Sequence, residues 1–208
     1  MLHIQLPQGL EVAKRGDWKQ LADVTAQSFA EDPVNRWVFG ETRAIQSCFR
    51  VLAREIYTKR GICHFARGAD GAVVGATMWV CSDEVTKLSK LGEMSLALGV
   101  ARHGSKGALE RAQRAGEIMT AHHPKPLHMY LFTIGVLPSA RGTGLGRRLL
   151  TPMLEACDRS GMACYLENSN PDNFSFYAAH GFEHMKYFAA GEGGPPLQAM
   201  WREARAPS

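Results

Sequence analysis

Val136-Leu-Pro-Ser-Ala-Arg141-Gly142-Thr143-Gly144-Leu145-Gly146 is followed at once by Arg147-Arg-Leu149-Leu150-Thr-Pro-Met153-Leu154, and the junction between these two runs decides how the chain folds. Upstream, Leu131 to Val136 is apolar, aromatic and β-branched, the composition of a strand. Pro138 ends the ladder by removing a donor. Gly142, Gly144 and Gly146 strip the loop of side chains, so its N–H groups can be approached closely. Leu145, Leu149, Leu150, Met153 and Leu154 then recur at helical spacing. The unsatisfied N–H groups of a helix start carry roughly half a positive charge, a ready site for phosphate. Strand, glycine loop and helix together imply a phosphate-bearing ligand held mainly by backbone.

Three loop types compete for this signal. A Walker loop ends in Gly-Lys-Ser/Thr, whereas Gly146 is followed by Arg147 and Arg148. A dinucleotide fingerprint counted from Gly142 has Gly144 in third place but Arg147 where its last glycine belongs. The third pattern, Arg/Gln-x-x-Gly-x-Gly/Ala, is met by Arg141, Gly144 and Gly146, and it resembles the acyl-CoA pyrophosphate loop of the GNAT superfamily of N-acyltransferases. Taken alone, the loop is also compatible with a plain glycine turn. Further on, Ala163-Cys-Tyr-Leu-Glu167 reads as a strand, followed by Asn170-Pro-Asp-Asn173-Phe-Ser-Phe-Tyr177-Ala-Ala-His-Gly181-Phe182. An Asn seven residues before a Tyr, then x-x-x-Gly-Phe, resembles the closing motif of the same superfamily. Gly181 suits the position just past a helix end. The stretches Tyr165–Tyr177 and Ser28–Phe39 are similar to the puromycin N-acetyltransferase-like branch, which argues for the branch and not for that antibiotic as substrate. The similarity covers most of residues 10–188, strongly over 128–185 and loosely over 84–125.

The resemblance implies an α+β GNAT-like acyl-CoA N-acyltransferase fold, with a mixed central sheet whose central strands splay apart, flanked by helices. It implies acetyl-CoA as cosubstrate, no metal, and direct transfer of the acetyl group to a primary amine of a small molecule through a tetrahedral intermediate. Carried over by position, backbone at Ile134, Gly135 and Val136 pairs with the pantetheine amides. The N–H groups of Arg141, Gly142, Thr143, Gly144, Leu145 and Gly146 hold the pyrophosphate, with the Arg141 guanidinium as an optional bidentate contact or a solvated loop residue. Asn170 bonds the pantetheine arm, and Asn173 is a second candidate whose alternative is an Asx turn or helix cap. Tyr177 is the general acid that protonates the leaving thiolate; a neutral phenol suits that role. An amine near pKa 10 must lose a proton before it attacks, so a base is needed. Glu167 is the first candidate, with His128 and Tyr130 as others. Two rivals remain: an enzyme acting on protein N-termini or lysines, and a non-catalytic acyl-CoA-binding sensor. Trp37, Phe39, Trp79, Met94 and Met119 are offered as an apolar lining for the acceptor, a role that competes with membership of the core.

A chain of 208 residues, 45% of them hydrophobic, can build a core of its own, and we expect one domain over 1–208, with its core at about 10–202 and a loose tail over 203–208. The net charge of +4 is small and its basic residues are scattered, so nucleic acid is not the expected partner. Homodimer formation is left open. Cys48, Cys63, Cys81, Cys157 and Cys164 are odd in number and lack C-x-x-C spacing, which reads as small buried residues of a reduced, cytoplasmic protein. Nothing near Cys164 marks it as a nucleophile. Met-Leu-His-Ile-Gln-Leu-Pro has no basic n-region followed by an apolar h-region, so no signal sequence is expected in it, and no apolar run approaches the roughly 18 residues of a membrane span. His122-His123 before Pro124 reads as an exposed loop pair.

The expected elements are a strand at 10–14, a helix from Trp18 to Ala30 capped by Asp17, a helical turn opened by Asp32-Pro33, and a helix from Thr42 to Lys59. Antiparallel strands at 62–66 and 73–80 meet at an Asp70-Gly71 turn. Two helices fill 84–121, broken near His103-Gly104, and a last hairpin joins 184–190 to 197–202.

Overall fold

The computed structural model describes residues 2–84 and 87–206. Residues 85 and 86, inside the stretch expected to hold two helices, and the end of the expected tail at 207–208 lie outside the described residues. The strands are β1 (Leu10–Val12), β2 (Ile62–Arg67), β3 (Val73–Cys81), β4 (His128–Val136), β5 (Ala163–Asn168), β6 (Glu183–Ala189) and β7 (Pro196–Arg202). They form one seven-stranded sheet in the order β1-β2-β3-β4-β5-β7-β6. Every pairing is antiparallel except β4 with β5, and this one parallel pair makes the sheet mixed.

On one face lie α1 (Trp18–Ser28), α2 (Pro33–Phe39), α3 (Thr42–Leu52), α5 (Lys90–His103) and α6 (Ala108–His122). α3 runs on through one π-helical segment, Ala53–Tyr57, into the short α4 (Thr58–Arg60). The core on this face is built on Leu21, Ile45, Phe49, Phe65 and Met78. The other face is covered by α7 (Leu145–Arg159), whose Leu150 and Met153 are fully buried with Trp79, Leu131 and Leu166, while its Leu149 is fully buried with Leu10 and Ala66. The five apolar positions read at helical spacing in α7 are therefore its core stripe. The short α8 (Phe174–Ala179) ends before Gly181, which takes φ +87°, the left-handed backbone that favours glycine after a helix.

Most expected elements appear within a few residues of their predicted ends. Asp17 differs in role: its carboxylate accepts from the Lys14 N–H at 2.7 Å within a 3-10 turn and does not cap α1. The expected loose tail is tied down as far as Arg205, whose N–H donates to Asp158 at 2.8 Å. Among the described residues no helix is long and apolar enough to cross a membrane.

His64 on β2 has no exposed surface, and neither ring nitrogen finds a partner among the described residues; its cross-strand neighbour Thr77 is likewise unbonded at its hydroxyl. Burial pushes its pKa from 6.5 down to about 4. The unfolded chain therefore takes up a proton below about pH 6.5 that the native chain refuses until about pH 4, and stability should fall by up to about 1.4 kcal/mol per pH unit across that window. Urea unfolding at neutral and mildly acidic pH should show this loss in the native protein and a flatter dependence in His64→Leu. An equal slope in both proteins would assign the effect to other groups.

Candidate active site

β4 and β5 pair over three positions only, His128↔Ala163, Met129↔Cys164 and Tyr130↔Tyr165. Beyond Tyr130, β4 continues to Val136 in register with β3, while β5 continues to Asn168 in register with β7. The two central strands therefore diverge, and each carries an inner edge with no strand on it. A bulge marks the departure: Met78 faces Thr133 and Trp79 faces Leu131, so Phe132 is the extra residue on β4. Phe132 stacks on Tyr57 with ring centroids 4.6 Å apart, which anchors the bend to the π segment. Ile134, Gly135 and Val136 lie along the open edge of β4. A side chain at Gly135 would come within 2.8 Å of the Ser28 Cβ, so glycine there lets α1 pack directly on the strand.

The glycine loop lies at the mouth of this opening. Gly142 and Gly144 take φ of +76° and +78°, and a Cβ on either would project into open space. The first intrahelical bond of α7 is Arg148 N–H to Gly144 O at 3.1 Å, so the preceding N–H groups of Leu145, Gly146 and Arg147 have no acceptor within the helix. Gly146 carries no Cβ where the Phe176 ring would sit 3.4 Å away, which seats α8 against the start of α7. The Thr143 hydroxyl donates to Ala140 O at 2.8 Å. Arg141 is engaged elsewhere than expected. Its N–H donates to Pro138 O, and its guanidinium to Val136 O and Ser28 O, both at 3.2 Å. In this arrangement Arg141 staples the loop to the end of β4 and to α1.

Asn170 and Asn173 follow β5. Asn170 Oδ1 accepts from the Asp172 N–H at 3.0 Å and opens the 3-10 turn Pro171–Asn173, while the Asn173 side chain makes no capping bond. The capping role that was the alternative for Asn173 belongs to Asn170, and its oxygen is used while the Nδ2 group keeps its donors. A ladder buried at its centre holds this turn: Asn170 N–H to Asn168 Oδ1, Asn168 Nδ2 to Gln198 Oε1, and Gln198 Nε2 to His184 Nδ1.

Tyr177 is 8% exposed and sits edge-on to Phe176 and Phe182, with centroids 5.3 and 6.1 Å away. Burial, and then the charge of Asp32, push its pKa above the ordinary tyrosine value, so the phenol stays protonated and can donate. Asp32 is itself held. It accepts from Asn35 N–H and Nδ2 at 2.9 and 2.8 Å, capping α2, and from the Ser169 hydroxyl at 2.5 Å. That last bond ties the α1–α2 connection to the end of β5.

Glu167, His128 and Tyr130, the three candidate bases, form one cluster. The Glu167 side chain is 2% exposed; its carboxylate has no close hydrogen bond among the described residues, and the Tyr130 and Tyr165 hydroxyls are its longer-range donors. Burial, and then the Glu167 charge, raise the pKa of Tyr130 and Tyr165, so both phenols remain neutral beside it. His123 joins them, its Nε2 3.0 Å from His128 Nε2 and its Nδ1 3.9 Å from Glu167 Oε1. The expected exposed histidine pair is therefore corrected. His122 is half-buried and stacks on Phe188 at 4.2 Å, and His123 turns inward. The reason is local: Pro124 disfavours helical backbone at the residue before it, so α6 ends at His122 and His123 is extended at φ −62°, ψ 131°.

The apolar residues offered for an acceptor divide. Trp79 is fully buried under α7 on the opposite sheet face from Phe39, so they cannot line one pocket; Met94 is 55% exposed on α5. Trp37 and Met119 are half-buried against the core that holds Phe39. Cys164 is buried, and hydrogen bonding with Cys157, then burial, raise its thiol pKa, which removes it as a nucleophile.

A sequence profile described as the acetyltransferase (GNAT) family matches residues 61–182, more than half of the chain. The chain belongs to the GNAT acetyltransferase family. A Schizosaccharomyces pombe protein named as an uncharacterised N-acetyltransferase is 24% identical, over 92% of this chain and 82% of its own length. Among solved structures, a Corynebacterium glutamicum protein described as a histone acetyltransferase and related acetyltransferase superposes with a TM-score of 0.69 at 24% identity, covering 96% of this chain and 97% of its own. An agmatine N-acetyltransferase superposes with a TM-score of 0.64 at 15% identity, covering 94% and 100%. These two share the GNAT fold with this chain.

Proposed function

We propose that the chain moves an acetyl group from acetyl-CoA to the primary amine of a small molecule, as a single acetyltransferase unit of the puromycin N-acetyltransferase-like branch. The observation that carries this reading is the splay of β4 and β5 with a bare glycine loop and a helix N-terminus at its mouth. An extended arm can add to the open edge of β4 by backbone hydrogen bonds at Ile134, Gly135 and Val136. The diphosphate can then meet the N–H groups from Gly142 to Gly146, where no side chain intervenes. The Asn170 amide donates to the arm from the β5 side, with Asn173 as the second candidate; the reading is supported by the Asn170 oxygen, and not its NH2 group, being the atom used in the turn. The branch assignment is supported by the Tyr165–Tyr177 stretch, which supplies Glu167, Asn170, Asn173 and Tyr177, and by Ser28–Phe39, which supplies Asp32.

Bound acetyl-CoA supplies an activated thioester carbonyl. The chain's own residues manage the protons: Glu167 accepts the one the amine must lose, and Tyr177 donates one to the departing sulfur. The apolar surroundings of Tyr177 keep that proton from water. The reading is supported by a solved structure of the same fold that is described as an agmatine N-acetyltransferase. Release of free CoA thiol from acetyl-CoA across a panel of small amines tests the reading.

Gly144→Val provides a second check. A β-branched residue at φ +78° is strained by roughly 1–2 kcal/mol even with space for its side chain, and relaxing that strain re-aims the N–H groups of the loop. Acetyl-CoA binding measured by calorimetry should weaken about tenfold or more. Unchanged affinity would move the diphosphate away from this loop.

A further inference from the structure

His123, which no motif singles out, completes a path from the buried Glu167 to solvent. We propose that His123 relays the proton taken by Glu167 to water, and that His128 is the positioning residue that sets the tautomer His123 needs for this. The proposal rests on reading Glu167 as the base.

The tautomers follow from the partners. A carbonyl oxygen only accepts, so His128 Nδ1, 2.7 Å from Pro126 O, carries a hydrogen. Burial lowers the His128 pKa, so the ring is neutral and its Nε2 is bare. His123 Nε2 lies 3.0 Å from that bare nitrogen and must therefore be the donor. With Nε2 as the donor, a His123 ring that carries one hydrogen turns a bare Nδ1 toward Glu167 Oε1 across 3.9 Å. Two acceptors face each other, one of them a buried carboxylate with no close hydrogen bond among the described residues. One proton between them satisfies both.

Exposure gives the direction of transfer. The Glu167 side chain is 2% exposed and His123 is 27% exposed, so the imidazole is the member in contact with solvent. The amine N–H proton passes to a Glu167 oxygen and then to His123 Nδ1, giving an imidazolium that carries hydrogen on both nitrogens. That ion loses one proton to water and returns to the neutral ring. One proton enters, one leaves, and the only bonds made and broken in the relay are O–H and N–H.

The remaining titratable neighbours are Tyr57 from the π segment, Tyr130 from β4 and Tyr165 from β5. All three phenols are raised by burial first and then by the Glu167 charge, so they hold their protons and do not compete for this one. Trp201 of β7 packs edge-on to His128 at 5.3 Å and keeps its ring in place. Among the described residues no group of three or more His, Cys, Asp or Glu is arranged to hold a metal ion.

The test combines 15N NMR of the histidine rings with turnover measured on an accepted amine. Wild-type His123 should show the Nε2–H tautomer at neutral pH, and His128→Phe should convert it to a mixture. His123→Ala should lower kcat about tenfold or more with KM for acetyl-CoA unchanged, and added imidazole should restore turnover in proportion to its concentration. An Nδ1–H tautomer in the wild type overturns the proposal, as does turnover of His123→Ala within about twofold of wild type. Glu167→Gln separates the two readings. If it abolishes turnover while His123→Ala does not, the relay fails and the base stands; if it retains full turnover, both fall.

Discussion

Tyr177→Phe is expected to lower kcat by about a hundredfold or more while leaving acetyl-CoA affinity little changed. The phenol lies at 8% exposure between Phe176 and Phe182, and removing one oxygen leaves that packing intact. What is lost is a proton donor whose pKa is raised by burial and by Asp32, so that it stays protonated throughout the neutral range. A thiolate leaving without that proton must be expelled as the anion into an apolar site, which is unfavourable. Steady-state kinetics with an accepted amine, together with equilibrium binding of acetyl-CoA, separate the chemical step from binding. Unchanged turnover would remove Tyr177 from the mechanism and leave it a core residue.

Arg202→Met is expected to destabilise the fold by about 3–5 kcal/mol, a large share of the roughly 5–15 kcal/mol that holds a typical domain together. The guanidinium at the end of β7 makes two parallel bonds of 2.7 Å to Asp158 on α7 and a third of 2.9 Å to His180 O at the end of α8. Its side chain is 4% exposed and that of Asp158 is 18% exposed, so cutting the pair leaves a largely enclosed carboxylate with the Arg205 N–H as its remaining bond. Burial alone would raise the Asp158 pKa, but the bonds from Arg202 and from the Arg205 N–H outweigh it and hold the carboxyl below its usual value. The stability from this contact is therefore present above about pH 3.8 and is lost as pH falls through the lower, native value. Chemical unfolding of Arg202→Met and of Arg202→Met with Asp158→Leu tests this. The double variant should recover much of the loss, because no buried charge then stands alone. Equal instability of the two would show that packing, not charge, is what Arg202 provides.

The parts of the fold that were legible in the sequence are those with local causes. The α7 stripe follows from the spacing of Leu145, Leu149, Leu150, Met153 and Leu154, and the loop from glycines whose backbone angles other residues avoid. The splay of β4 from β5 came from family resemblance, and the register bears it out by stopping at Tyr130↔Tyr165. Long-range placement was not legible. The near-continuous apolar run of β3 marks Trp79 as buried but cannot say on which face, so it was offered to a pocket it does not reach. Arg202 and Asp158 meet only because β7 inserts between β5 and β6, which no spacing encodes. His123 was read as half of an exposed loop pair, because no local pattern marks one of two adjacent histidines as turned inward. The backbone change imposed by Pro124 ends α6 at His122 and aims His123 into the site.

The most direct test of the account is thiol release from acetyl-CoA by the purified protein, with and without each member of a panel of small primary amines. The account predicts amine-dependent release of CoA, matched by an equal amount of N-acetylated product, for at least one member of the panel. Tight acetyl-CoA binding with no amine-dependent thiol release would contradict it.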